Sequence, residues 1–172
     1  TDLGERLSNE QIRIQKPSRK GYVFAGWDVQ GSGRLTTDNS FYYMGYNDTT
    51  LVAQWEPNQY NLNFDYNKPQ DAAADITGND ITTKKVLYTK TVGELPSPAL
   101  KGYTFTGWQD ENGKTYTEDT VYNVLGDTTL YAQWRKNDYT ITFDYNCAPG
   151  DAITGNEIKS KGAVYGLSLI HI

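Results

Sequence analysis

Two motifs recur in the same order, and that recurrence limits the possible folds more than any single residue does. Lys20-Gly21-Tyr22-Val23-Phe24-Ala25-Gly26-Trp27 returns as Lys101-Gly102-Tyr103-Thr104-Phe105-Thr106-Gly107-Trp108. Thr49-Thr50-Leu51-Val52-Ala53-Gln54-Trp55 returns as Thr128-Thr129-Leu130-Tyr131-Ala132-Gln133-Trp134. A third segment, Tyr60-Asn61-Leu62-Asn63-Phe64-Asp65-Tyr66-Asn67, follows the first closing Gln-Trp and returns from Tyr139 to Asn146 after the second. The spacing is about 80 residues, longer than a solenoid unit and enough for a small globular module. The chain therefore reads as tandem modules.

One complete module is expected over residues 59–134. It lies between the C-terminal part of a first repeat in residues 1–55 and the N-terminal part of a third in residues 138–172. Ala163-Val164-Tyr165 still matches Val86-Leu87-Tyr88, but the last stretch has no Leu-Pro-x-Pro counterpart, so residues 167–172 read as foreign to the repeat. The joints Glu56-Pro57-Asn58 and Arg135-Lys136-Asn137 are too short to behave as free linkers, and a semi-rigid row of modules is expected.

Within a module the strands follow from alternation. Tyr22 and Phe24, like Tyr103 and Phe105, share a strand face, and Gly26 or Gly107 can host a bulge that returns Trp27 or Trp108 to the same core. Glu111-Asn112-Gly113 reads as a hairpin turn of type I′, because Asn and Gly both accept positive φ. Leu51, Ala53 and Trp55 face one way on the closing strand, as Leu130, Ala132 and Trp134 do in the second copy. Tyr60, Leu62, Phe64 and Tyr66 alternate along the opening strand. Asn67 to Asp80 reads as a loop or as a short helix around Gln70 to Asp75, and Leu95-Pro96-Ser97-Pro98 as an extended connection, since prolines cannot donate to a ladder.

At Gly-Tyr-x-Phe-x-Gly-Trp followed by Thr-Leu-Tyr-Ala-Gln-Trp, the chain closely resembles the Listeria-Bacteroides repeat, the family of the internalin B-repeat. The likeness covers the second module and the recognisable halves of the other two. It departs from the family in its long Asn67–Asp80 stretch, and Val52 stands where the second copy has Tyr131. The resemblance implies an α+β, mostly β, small β-grasp-like module similar to ubiquitin and small ubiquitin-like modifiers. It also implies a place in arrays of secreted or wall-attached bacterial proteins, as spacers or receptor-binding modules.

Composition narrows the chemistry. A net charge of −5 supplies no clustered Lys and Arg for a phosphate backbone, which excludes nucleic acid as an expected partner. With one Cys, one His and one Met, thiol catalysis and Cys/His metal sites are not expected. No apolar run is long enough for a membrane helix, so no membrane insertion is expected. The residues Asp65, Asp71, Asp75, Asn79 and Asp80 lack EF-hand spacing and read as a solvated acidic loop. Glu118 and Asp119 could act on a glycoside, but neighbouring acids at a turn are usually solvated. His171, the single histidine, sits in the suspect tail, and no Ser/His/Asp set can be assembled. Asn47-Asp48-Thr49 fits a glycosylation sequon.

Small domains bury little surface, so large aromatics are the natural core. The expected core is Tyr22, Phe24, Trp27, Leu51, Trp55, Leu62, Phe64, Tyr103, Phe105, Trp108, Leu130, Ala132 and Trp134. Tyr116, Tyr122 and Tyr131 are the candidates for an exposed ligand face. The expected function is a non-catalytic extracellular spacer at a bacterial surface, without a cofactor, whose partners are the neighbouring repeats. The alternative is an adhesion module that binds a host surface protein or glycan through an aromatic face or an edge strand.

Overall fold

The structure, a computed structural model, describes residues 10–30, 35–36, 41–143 and 160–164. Every regular element among them is a strand. In chain order these are β1 (Gln11–Arg13), β2 (Tyr22–Val29), β3 (Leu35–Thr36), β4 (Phe41–Tyr43), β5 (Leu51–Pro57) and β6 (Gln59–Asp65). They continue with β7 (Thr83–Leu87), β8 (Tyr103–Gln109), β9 (Thr115–Tyr116), β10 (Thr128–Lys136), β11 (Asp138–Thr142) and β12 (Ser160–Val164). The strands form four sheets, ordered β1-β4, β3-β2-β5, β7-β6-β10-β8-β9 and β11-β12.

The fold is mostly β, as expected, but the α component is corrected: no helix occurs among the described residues. Pro69 to Ala72 form a turn in which Ala72 N donates to Pro69 O at 3.0 Å, and the chain continues irregularly to Asp75. A three-alanine run is far shorter than the 12 or so residues a helix needs to outlast its nucleation cost, so the surrounding tethers decide the conformation.

In the five-stranded sheet β6 and β10 run parallel, with Leu62 beside Thr128 and Asp65 beside Tyr131. β8 pairs antiparallel with β10 on the other side. β7 runs opposite to β6, since Phe64 N reaches Thr82 O while Tyr88 N reaches Asn58 O, both at 2.9 Å. The expected bulges are present. Register shifts between Phe24 and Gly26, and between the Trp134–Phe105 and Gln133–Gly107 pairs. Gly26 and Gly107 take φ of 141° and 131°, which a side chain would disfavour. Each bulge puts the tryptophan on the side of its phenylalanine: the rings of Phe24 and Trp27 lie 5.4 Å apart, and those of Phe105 and Trp108 5.5 Å apart.

The hairpin after Trp108 forms with a different turn from the one expected. Gly113 has φ of +78° but Asn112 does not share the left-handed region, so the turn is not type I′. Gly113 N donates to Asp110 O at 3.0 Å, giving a type I turn completed by a left-handed glycine. The Asp110 carboxylate holds it open by accepting from Asn112 N at 2.9 Å and Lys114 N at 3.0 Å. In the first copy β3 returns against β2, whereas Gly31 to Gly33 lie outside the described residues.

Backbone proximity divides the chain into two compact units. One comprises Thr1–Tyr60, Lys85–Thr91 and Val121–Gly126; the other comprises Asn61–Lys84, Val92–Thr120 and Asp127–Ile172. In the second unit Leu62, Leu130 and Ala132 are fully buried, with Phe64, Tyr103 and Trp108 close behind. Trp108 meets Phe64 at 5.0 Å and Tyr66 at 5.4 Å between ring centroids. Its indole nitrogen donates to Pro96 O at 2.8 Å, so the Leu-Pro-x-Pro connection supplies a carbonyl that no ladder competes for. Phe105 and Trp134 are half-buried, and Trp134 Nε1 donates to Tyr66 O at 2.9 Å. In the first unit Phe24 is buried between Trp27 and Trp55, which are themselves half-buried, as are Tyr22 and Leu51.

Candidate functional site

The structure does not gather Tyr116, Tyr122 and Tyr131 into an exposed face, and the expectation for the first two is corrected. Tyr116 is 2% exposed and Tyr122 fully buried. Tyr116 lies directly across the hairpin from Trp108, and residues opposite one another on antiparallel strands share a face, so the tyrosine goes inward with the tryptophan. Tyr122 is drawn in by a two-way link in which its N–H donates to Lys90 O at 2.9 Å and its carbonyl accepts from Thr89 N at 2.8 Å. Its hydroxyl donates to Gly126 O at 2.6 Å, and its ring lies 6.1 Å from that of Tyr60. Tyr131 is half-buried between Gln109 on β8 and Asp65 on β6.

The acidic loop is tied to the protein through its side chains. Asp71 accepts a hydrogen bond from Tyr103 OH at 2.6 Å and pairs with Lys136. The hydrogen bond from Lys136, then that from Tyr103, holds its carboxyl below the usual carboxylate range. Lys68 does the same for Asp75 at 2.8 Å. Tyr66 OH donates to Ile81 O at 2.7 Å, and burial first, Asp80 second, pushes the phenol up. Among the described residues no three His, Cys, Asp or Glu side chains come together in the manner of a metal site. Asp75, Leu100, Tyr103 and Phe105 border an open groove of about 530 Å³. Glu118 and Asp119 are exposed at a turn that the Thr117 and Thr120 hydroxyls close. Cys147 and His171 lie outside the described residues.

A different constellation repeats at the joints. Asn58 N donates to Gly21 O, and Asn137 N donates to Gly102 O, both at 2.9 Å. Asn58 Nδ2 donates to Tyr60 OH at 3.2 Å, and Asn137 Nδ2 to Tyr139 OH at 3.4 Å. Gly21 and Gly102 carry almost the same φ, +81° and +84°. Sequence reasoning read these joints only as short polar linkers. The recurrence of Asn-x-Tyr three to five residues after each closing Gln-Trp was the signal available.

Known proteins share the repeat. A Gly-rich membrane protein of Evansella cellulosilytica is 37% identical over 165 residues, which are 88% of this chain and 18% of that protein. Internalin H of Listeria monocytogenes is 37% identical over 134 residues, 76% of this chain and 22% of its own length. A second Evansella cellulosilytica membrane protein is 30% identical over 132 residues, 76% of this chain and 18% of its own. The chain thus spans about a fifth of the length of these relatives. No solved structure matches it. The family described as the Listeria-Bacteroides repeat domain matches residues 7–54 and again 60–133, the two stretches that carry the paired motifs, and the chain belongs to that family.

Proposed function

We propose that the chain is a non-catalytic run of β-grasp-like repeats acting as a spacer in a longer protein at a bacterial surface. The observation that carries this reading is the repeated Asn joint, which closes each module against the start of the next strand with the same hydrogen bonds. The burial of Tyr116 and Tyr122 supports it further, because aromatic area committed to the core is withdrawn from ligand stacking. The β-grasp reading draws on strand order. Numbered within the second repeat, the sheet runs 2-1-5-3-4 with its first and last strands parallel at the centre. An extended proline-containing connection takes the place where a β-grasp fold carries its helix. For the location, the support is that relatives bear the names of membrane proteins and of an internalin.

Adhesion is the second reading, and one feature favours it: β7 stands at an edge of the five-stranded sheet, where an extended peptide can add as a further strand. The two readings separate on a binding screen of the full chain against glycans and host matrix proteins, with a thermal melt run beside it. A folded chain that binds none of them is the expected result. Saturable binding that is abolished by proline substitution at Lys85, whose N–H the register turns away from β6, would replace the spacer by an edge-strand adhesin.

A further inference from the structure

Gly21 and Tyr22 open the first motif, but their surroundings are not supplied by their own hairpin alone. A Cβ placed on Gly21 would lie 2.4 Å from two ring atoms of Tyr88, a residue of the following repeat, so the ring rests directly on the glycine. The rings of Tyr22 and Tyr88 meet edge to face at 5.6 Å with an interplanar angle of 86°. Tyr22 also carries the Arg19 guanidinium, 4.0 Å from the ring centroid. Asn58 bridges the pair through its backbone, donating to Gly21 O and accepting from Tyr88 N, each at 2.9 Å.

The residue after Tyr88 is held in an uncommon conformation. Thr89 has φ of +61°, a region that β-branched residues rarely enter. Its hydroxyl donates to Tyr88 O at 2.7 Å, which commits its only proton, so the Tyr22 hydroxyl 2.9 Å away is the donor to Thr89 Oγ1. Thr89 N in turn donates to Tyr122 O. Backbone proximity places Lys85–Thr91 and Val121–Gly126 in one compact unit with residues 1–60. Strained backbone persists only where surrounding contacts over-determine it, and here the Tyr22 hydroxyl of the preceding repeat adds to the bond from Thr89 N to Tyr122 O within its own.

We propose that the Gly21–Tyr22 turn and Asn58 form a docking site for the Tyr88–Thr89 turn of the next repeat, which couples the folding of adjacent repeats. The first glycine of Gly-Tyr-x-Phe-x-Gly-Trp is then required twice, by its own φ and by the ring it receives. The same elements recur in sequence at the second joint as Gly102-Tyr103, Asn137 and the Tyr165 position, and Asn137 repeats the bond to the glycine carbonyl. This coupling is independent of whether the array spaces or binds.

The test separates the two demands on Gly21 within the full chain. Gly21→Ala meets backbone strain and the Tyr88 ring in the native background, but strain alone beside Tyr88→Ala. Its effect on the unfolding equilibrium is expected to be about fivefold smaller in the second background, a coupling typical of touching residues; equal effects in both overturn the proposal. Should Gly21→Ala prevent the first hairpin from folding, milder substitutions read the same contact by native-state amide exchange. Tyr88→Ala is expected to speed exchange across Tyr22–Val29 about tenfold, and Tyr22→Phe to speed exchange of the Thr89 amide several-fold. If neither substitution is felt across the joint, the docking site does not exist.

Discussion

The two Gly-Tyr-x-Phe-x-Gly-Trp hairpins are near copies in local geometry and differ in depth. Phe24 stands 5.4 and 5.5 Å from Trp27 and Trp55 at interplanar angles of 68° and 71°. Phe105 stands 5.5 Å from both Trp108 and Trp134, at 65° and 62°. Trp108 is nevertheless buried and Trp27 only half-buried, while Leu130 and Ala132 are sealed where Leu51 and Ala53 are half-open. The motif therefore sets up the aromatic triad, and the rest of the module decides whether its first tryptophan is sealed. In the second copy β6 lays Phe64 against Trp108, and the proline-containing connection takes the indole proton.

The largest expected effect follows from that difference. Trp108→Ala removes a ring packed on three aromatics and leaves Pro96 O without its donor, at a cost of about 3–5 kcal/mol. Trp27→Ala, at a half-buried position, should cost about half as much, since loss scales with the area withheld from water. Chemical denaturation of the full chain, followed by a probe in each repeat, measures both. Equal costs would mean that the first triad is covered as completely as the second, and the comparison would fail.

The closing strands give a smaller version of the same contrast. Leu130→Ala empties a fully buried site beside β6 and should cost about 2–4 kcal/mol, against about 1 kcal/mol for Leu51→Ala. A Leu51→Ala cost as large as that of Leu130→Ala would break the contrast. A cost near zero would sharpen it, by showing that the first repeat leaves Leu51 uncovered on the face it shares with Ala53.

What could be read from the sequence follows the same division. Strand alternation and the bulging glycines were legible because both are local: a parity and a φ requirement fix them. The side taken by Tyr116 was not, because it depends on register across the hairpin, and the register was set by the Asp110 carboxylate holding a longer turn than Asn-Gly implies. Tyr122 escaped for a related reason, since its burial is imposed by Thr89 and Lys90, some thirty residues away in the chain. Asn58 and Asn137 were visible as members of short joints but not as the groups that close them, because a backbone donor carries no signature in its side chain. For the candidate ligand face, Tyr131 alone of the three is not buried, and its half-buried place between two strands came from the sheet order.

The smallest expected effect concerns the hydroxyl partners of the two Gly-Tyr pairs. The Tyr22 hydroxyl donates a hydrogen bond to Thr89, whereas the Tyr103 hydroxyl donates to Asp71, which Lys136 also faces. The Asp71 carboxyl is held below its ordinary value, so its contribution is fully present above that value and is lost as pH falls through the folded-state value. Tyr66 acts at the other end: its phenol is raised, so its contribution is present below the usual phenol range and is lost as pH rises through the folded-state value. Asp71→Asn keeps an acceptor for Tyr103 but removes the charge that Lys136 faces. The pair is exposed, so the loss at neutral pH should be small, and the acid side of the melting-temperature profile should flatten. Because the hydroxyl of Tyr22, the matching tyrosine, meets Thr89 and no carboxylate among the described residues, the flattening should appear only in the probe reporting on the second repeat. An acid limb that persists unchanged in Asp71→Asn would move the titrating group elsewhere, with Asp75 and its Lys68 partner next to be replaced.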